Sequence, residues 1–215
     1  MKIHILLLSL LFPLCFAANA QSSEKAIAIL EKSAKLFESG SGVEATFILK
    51  DNSSESGIPQ SFEGTLRNRG NKFYISTPDT DTWFDGTTQW SYLKSNREVN
   101  ITSPSEDETE VLNPVSLLRL YKRGFKVSYK GEKNIGNQKV QEVEFTPTTK
   151  DIPWKKVYIC INMTTFQPVS ILIHNKNGSE TDIKFQNINH NVNFKDSDFV
   201  FDAKRYPGVE LIDLR

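Results

Sequence analysis

The chain of 215 residues balances 26 Lys and Arg against 26 Asp and Glu, and 38% of it is hydrophobic and 11% aromatic. A net charge of zero provides no field to draw in nucleic acid or an anionic membrane surface, which argues against electrostatic binders of either.

Lys2 precedes an apolar run from Ile5 to Phe16, and Ala18-Asn19-Ala20 places small residues three and one positions before a cut. This predicts a secretory signal peptide over residues 1–20 with Gln21 as the mature N-terminus. The run is shorter than the roughly 20 apolar residues of a spanning helix. Cys15 follows the bulky Leu14, where a lipid-attachment signal wants a small residue, so lipidation is not expected. Cleavage leaves Cys160 as the sole cysteine, with no internal disulfide, and His174 and His190 as two isolated histidines that make no metal site. Residues 21–215 suit a single domain with a sizeable core.

Ala26, Ile29, Leu30, Ala34 and Phe37 recur at helical spacing and predict an amphipathic helix over 23–37, with Ser22 or Ser23 as N-cap and Gly40 as its stop. Strands follow over 43–50, 60–68, 71–76, 81–85, 88–93 and 97–102. A second short helix is predicted over 114–121, where Asn113 caps, Pro114 takes the first helical position, Val115, Leu117, Leu118 and Leu120 form the apolar side, and Gly124 ends it. Five more strands complete the chain, over 124–130, 138–146, 154–162, 168–174 and 179–188. Asp85-Gly86 and Asn177-Gly178 mark hairpins.

Alternation is clear in Val157, Ile159, Ile161, in Val169, Ile171, Ile173, and in Thr181, Ile183, Phe185. The other face is not properly polar, since Tyr158, Cys160 and Leu172 occupy it and Trp83 adjoins Phe84. Two sandwiched sheets or one curled sheet with helices closing its mouth would both explain this. The two amphipathic helices need an apolar surface to cover, which favours a mainly β fold built as one curled sheet of about eleven strands.

Lys72 to Val99 strings short aromatic strands between tight turns and holds no nucleophile paired with a base, so it reads as a wall for an apolar guest. Asp79, Asp81 and Asp85 lack the glycine and terminal glutamate of a calcium loop and read as turn residues. Glu106, Asp107, Glu108 and Glu110 read as a solvated loop at the positive end of the second helix. No nucleophile elbow, Walker loop or dinucleotide fingerprint occurs, so neither enzyme activity nor a cofactor is expected. Arg67, Arg69, Lys72, Phe73 and Tyr74 interleave charge with aromatics like a single-strand nucleic-acid platform; secretion and neutral charge argue against that, and strand alternation accounts for the pattern. Arg69, beside Gly70, is either a solvated turn arginine or a latch to the carbonyls of a closing helix.

The ordered set V-E-A-T-F-I-L-K, F-E-G-T-L-R-N-R-G-N-K-F, W-F-D-G-T-T-Q-W-S-Y, N-P-V-S-L-L, V-E-F-T-P and F-V-F-D-A-K-R-Y-P-G-V-E-L-I-D resembles the LolA-like periplasmic carriers of outer-membrane lipoproteins over nearly the whole mature chain. The resemblance implies an unclosed antiparallel β-barrel with a helical lid over its concave apolar face. It also implies a periplasmic monomer that carries acylated lipoproteins from an inner-membrane lipoprotein-releasing transporter to an outer-membrane receptor. Arg69 matches the family's latch arginine, although the family's R-P-N is Arg69-Gly70-Asn71 here. Phe73 and Ile75 match apolar positions of the next strand, Leu117 and Leu118 match the lid helix, and Trp83, Trp90 and Tyr92 lie in the matching hairpin with their faces left open. A lipid-sensing or regulatory envelope protein of the same fold and a secreted hydrolase are the alternatives. An integral outer-membrane barrel is disfavoured by Glu142, Glu144, Asp182 and Lys184 within its strands.

Overall fold

The computed structural model describes residues 13–38, 42–52, 60–105 and 115–215, with side chains from residue 20 onward. A long helix, α1 (Pro13–Glu38), is followed by β1 (Gly42–Asn52), β2 (Gln60–Arg69), β3 (Lys72–Ser76), β4 (Thr80–Phe84), β5 (Gln89–Leu93) and β6 (Glu98–Thr102). A 3-10 helix, η1 (Ser116–Lys122), leads into β7 (Phe125–Ile135), β8 (Gln138–Pro147), β9 (Trp154–Asn162), β10 (Pro168–Asn175) and β11 (Glu180–Val192). Two 3-10 turns, η2 (Asp196–Phe199) and η3 (Ala203–Arg205), and a last strand, β12 (Glu210–Asp213), end the chain.

All twelve strands form one sheet in the order β12-β6-β5-β4-β3-β2-β1-β11-β10-β9-β8-β7. Two hairpin-connected meanders, β1–β6 and β7–β11, are joined where β1 pairs antiparallel with β11. The edges β12 and β7 do not pair with each other, so the sheet is mostly antiparallel, curled and unclosed, as expected. The twelfth strand was not expected: β12 pairs parallel with β6, Leu211 opposite Val99, and nothing local in Glu210-Leu211-Ile212-Asp213 announces a partner more than a hundred residues upstream.

Both predicted hairpins form. Asp85 Oδ1 accepts from the Thr87 and Thr88 amides at 2.9 and 2.8 Å, which closes the turn around Gly86 at φ 104°. That positive φ is a conformation in which only glycine is free of Cβ strain. Asp81 is not a solvated turn residue: it is 7% exposed on β4 and is held by Ser76 Oγ at 2.6 Å and Lys94 Nζ at 2.8 Å.

α1 buries Ala26, Ile29, Leu30, Ala34 and Phe37, the five positions the periodicity singles out. Each of the larger ones contributes roughly 1.5–3 kcal/mol. The helix starts about three turns earlier than expected, because Ala17, Ala18 and Ala20 favour helix and Pro13 is tolerated in its first turn. Ser22 is therefore inside the helix and caps nothing; its hydroxyl accepts from the Tyr129 amide at 3.0 Å and lies 3.2 Å from the Tyr129 carbonyl, to which it donates. This occupies free backbone groups of the edge strand β7, and Lys25 Nζ lies 3.7 Å from the Tyr129 ring centre. The expected stop, Gly40, and the expected cap and first residue of the second helix, Asn113 and Pro114, lie outside the described residues, as does the acidic loop before it. That second element is a 3-10 helix with Val115 at its N-cap and no side-chain cap, and it buries Leu117, Leu118 and Leu120.

Candidate functional site

Period-two alternation sorts the strand residues onto two faces. One face carries the main core. Val43 and Phe47 of β1, Leu66 of β2, Phe145 of β8, Ile159 of β9 and Ile171 of β10 cluster there with the buried side chains of α1 and η1, and Ile75 packs at its margin. This is the helix-covered face that the periodicities of α1 and of the strands together require.

The two helices are tied to each other as well as to the sheet. Arg119 of η1 reaches Glu38, the last residue of α1, through Nε at 2.6 Å, and its second guanidinium nitrogen makes a parallel bond to the other carboxylate oxygen. The Glu38 hydrogen bond holds the Arg119 guanidinium above its ordinary value despite partial burial. Tyr121 Oη lies 3.4 Å from Glu31 of α1, and Lys32 of α1 sits over the Phe166 ring at 4.8 Å.

On the opposite face, the part formed by β3–β6 is covered by the chain's own C-terminal strap, residues 194–209. Trp83 packs edge-on against Phe201 and Tyr206, with ring centres 5.4 and 5.9 Å away, and Tyr92 meets Tyr206 at 4.9 Å. Tyr74, Trp90, Ile101 and Val209 complete this second cluster. A cleft of about 480 Å³ remains between strap and sheet, lined in part by Arg67, Tyr74, Trp83, Phe201, Arg205 and Tyr206.

The eight residues singled out from sequence therefore fall into two groups. Ile75 on β3 and Leu117 and Leu118 on η1 belong to the helix-covered core, and Phe73 has the parity of Ile75 but lies outside that cluster; it is fully buried and packs on Phe84 with ring centres 5.2 Å apart. Trp83, Trp90 and Tyr92 lie on the strap side, because Tyr74, Trp83, Trp90 and Ile101 form one cross-strand row of the opposite parity. Arg69 also lies there. It donates to the Phe194 carbonyl and to Asp196 Oδ1, which Lys72 Nζ shares at 2.7 Å, and its guanidinium lies 5.6 Å from the Phe199 ring. Its hydrogen bonds thus run to the strap, at the start of η2, and not to α1 or η1, since Arg69 keeps the parity of Arg67 and not that of Leu66 and Asn68.

Two residues that the sequence reading did not single out, Arg119 and Glu38, make the ion pair between the helices. The signal was present as opposite charges near the ends of the two predicted helices, but their pairing depends on how those ends meet. His174 and His190 stay apart: the first bonds Glu180 at 2.8 Å and the second Gln167 at 2.9 Å.

The model of the outer membrane lipoprotein carrier protein LolA matches residues 16–178, a span that ends before β11 and the strap. No curated protein matches the chain. Among solved structures, an uncharacterized conserved protein from Thermus thermophilus superposes with a TM-score of 0.61 at 12% identity, over 88% of this chain and 99% of that one, which is a likeness of fold. A putative outer membrane lipoprotein-sorting protein domain from Vibrio parahaemolyticus gives 0.48 at 14% identity, over 82% and 97%. A LolA superfamily protein from Nitrosomonas europaea gives 0.45 at 12% identity, over 82% and 97%. With its family's model spanning most of its length and a helix-covered apolar face on an unclosed sheet, the chain belongs to the LolA family of outer membrane lipoprotein carriers.

Proposed function

We propose that this protein is a periplasmic carrier that takes up the acyl chains of lipoproteins between the helix pair α1–η1 and the apolar face of the sheet, and shuttles them from the inner to the outer membrane. The observation that carries the reading is the construction of that face. An apolar surface on an open sheet is closed by the long helix α1 and the short 3-10 helix η1, held largely by side-chain contacts and one exposed ion pair, and so can be uncovered without breaking the sheet. Export through cleavage after Ala20 would leave α1 beginning at Gln21, with Ser22 still seated on β7.

Full burial of three acyl chains of about fifteen methylenes at about 0.8 kcal/mol each would release about 36 kcal/mol, beyond the ceiling of about 18–21 kcal/mol for non-covalent binding. The carrier therefore leaves part of its cargo exposed, and hand-over occurs by contact with an inner-membrane releasing transporter and an outer-membrane receptor. Phe73, Ile75, Leu117 and Leu118 are the proposed guest-facing residues, and Arg69 is proposed to hold the strap.

The test is native mass spectrometry of the detergent-free mature protein with a triacylated lipoprotein, followed by addition of an outer-membrane fraction and sedimentation. One-to-one binding followed by release to the membrane is the expected outcome. Binding without release would replace the carrier by a lipid-sensing role, and absence of binding would remove the lipid reading altogether.

A further inference from the structure

One cross-strand row on the helix-covered face departs from its surroundings. Val43, Asn68, Phe73, Phe84, Gln89 and Thr102 stand opposite one another from β1 to β6. Within it Asn68 is 1% exposed, and its Nδ2 donates to the Gly70 and Lys72 carbonyls at 3.2 Å each, which fixes the amide's orientation and leaves Oδ1 buried without a hydrogen-bond partner among the described residues. Gln89 Nε2 donates to Ser91 Oγ at 3.1 Å, and its Oε1 is likewise buried and unpartnered. Between these two acceptors lie only the rings of Phe73 and Phe84. The neighbouring row, Ala45, Leu66, Ile75, Thr82, Ser91 and Asn100, is uncharged, as this one is.

Buried acceptors are almost always satisfied, because leaving one unpaired forfeits its hydration with nothing in return. Two in one row, flanking an apolar pair, are complementary to a molecule that brings its own donors. With no cation in either row an anionic headgroup would be left uncompensated, and with no carboxylate the same holds for an ammonium. The chemistry that remains is a neutral donor, an N–H or an O–H. Three strand spacings, about 14 Å, separate the strands that carry the two side chains, which exceeds a single donor group and suits an acyl chain continued by several peptide units, whose donors are N–H groups.

We propose that Asn68 Oδ1 and Gln89 Oε1 are hydrogen-bond acceptors for the amide N–H groups of an N-acylated peptide, with Phe73 and Phe84 receiving the apolar part between them; this rests on the carrier reading. The row then selects amide-linked acyl chains over free fatty acids and ester lipids.

The test compares an N-hexadecanoyl tripeptide with its copy in which each amide N–H is replaced by an ester oxygen, both titrated into the detergent-free protein. The wild type is expected to bind the amide form about tenfold more tightly, the worth of one or two neutral hydrogen bonds. Gln89→Met, similar in size and lacking the acceptor, is expected to reduce that preference while leaving affinity for the ester form unchanged. Asn68→Leu should act in the same sense but also removes the β2–β3 turn contacts, so the Gln89 variant decides. Equal affinity of the wild type for both probes would overturn this inference and leave the carrier reading standing, whereas failure of both probes to bind would overturn the carrier reading and this inference with it.

Discussion

The sheet has two apolar faces, and they are closed by different means. On one, α1 and η1 lie over aliphatic strands and are joined by the Arg119–Glu38 pair, whose side chains are 26% and 44% exposed. On the other, the strap packs on an aromatic cluster through ring contacts and leaves a cleft beside it, and Asp196 receives both Arg69 and Lys72. Aromatic richness marks the face that the strap covers, where Trp83, Trp90 and Tyr92 pack with Phe201 and Tyr206. Under the proposed function, the face to be uncovered is the other one, built from Ile, Val, Leu and Phe under helices.

A matched pair of truncations should separate the two faces most strongly. Phe37→Ala in α1 and Trp83→Ala under the strap should each cost about 3–5 kcal/mol in denaturant unfolding, as large buried rings do. Only the first should also lower the affinity of the folded protein for an acyl probe, and equal loss of affinity in both would erase the distinction between the faces. A smaller effect is expected at Gly64, whose added Cβ would fall within the Phe47 ring packed across from it. Gly64→Ala should cost about 1–3 kcal/mol through overpacking, measured by the same unfolding curves.

Smaller still is the tie between the helices. A double-mutant cycle on Arg119→Ala and Glu38→Ala should give a coupling of about 0.2–1 kcal/mol, given its exposure. Uptake of an acyl probe should be faster in the single variants; unchanged uptake would mean that the pair does not restrain the helices. The last prediction concerns the strap. Asp196 is held below the usual aspartate value of 3.8 by Lys72's hydrogen bond and charge and then by the charge of Arg69. Its contribution is therefore fully present above that value and is lost as the pH falls through its lower folded value. Asp196→Asn should lower the unfolding midpoint at neutral pH and narrow its drop on acidification below about pH 4; equal drops in both proteins would deny the strap this anchor.

Local pattern carried far into this molecule. The buried face of α1, the two hairpins and eleven strands were legible because each depends on a period of 3.6 or 2 or on a turn residue that only certain side chains allow. The curled sheet followed from two amphipathic helices that needed a surface to cover, and its unclosed form was what the family resemblance implied. Pairings distant in sequence were not legible. β12 joins β6 in parallel, Arg69 turns to Asp196, and Arg119 finds Glu38, contacts that are set by how the sheet curls and where the strap crosses it. Alternation and helical periodicity settled which strand residues face alike and which side of α1 is apolar, and the ordered motifs pointed to the family. Which sheet face lies under the helices, and which part of the other lies under the strap, was set by the folded chain, because alternation separates the two faces of a strand without saying what will cover either one.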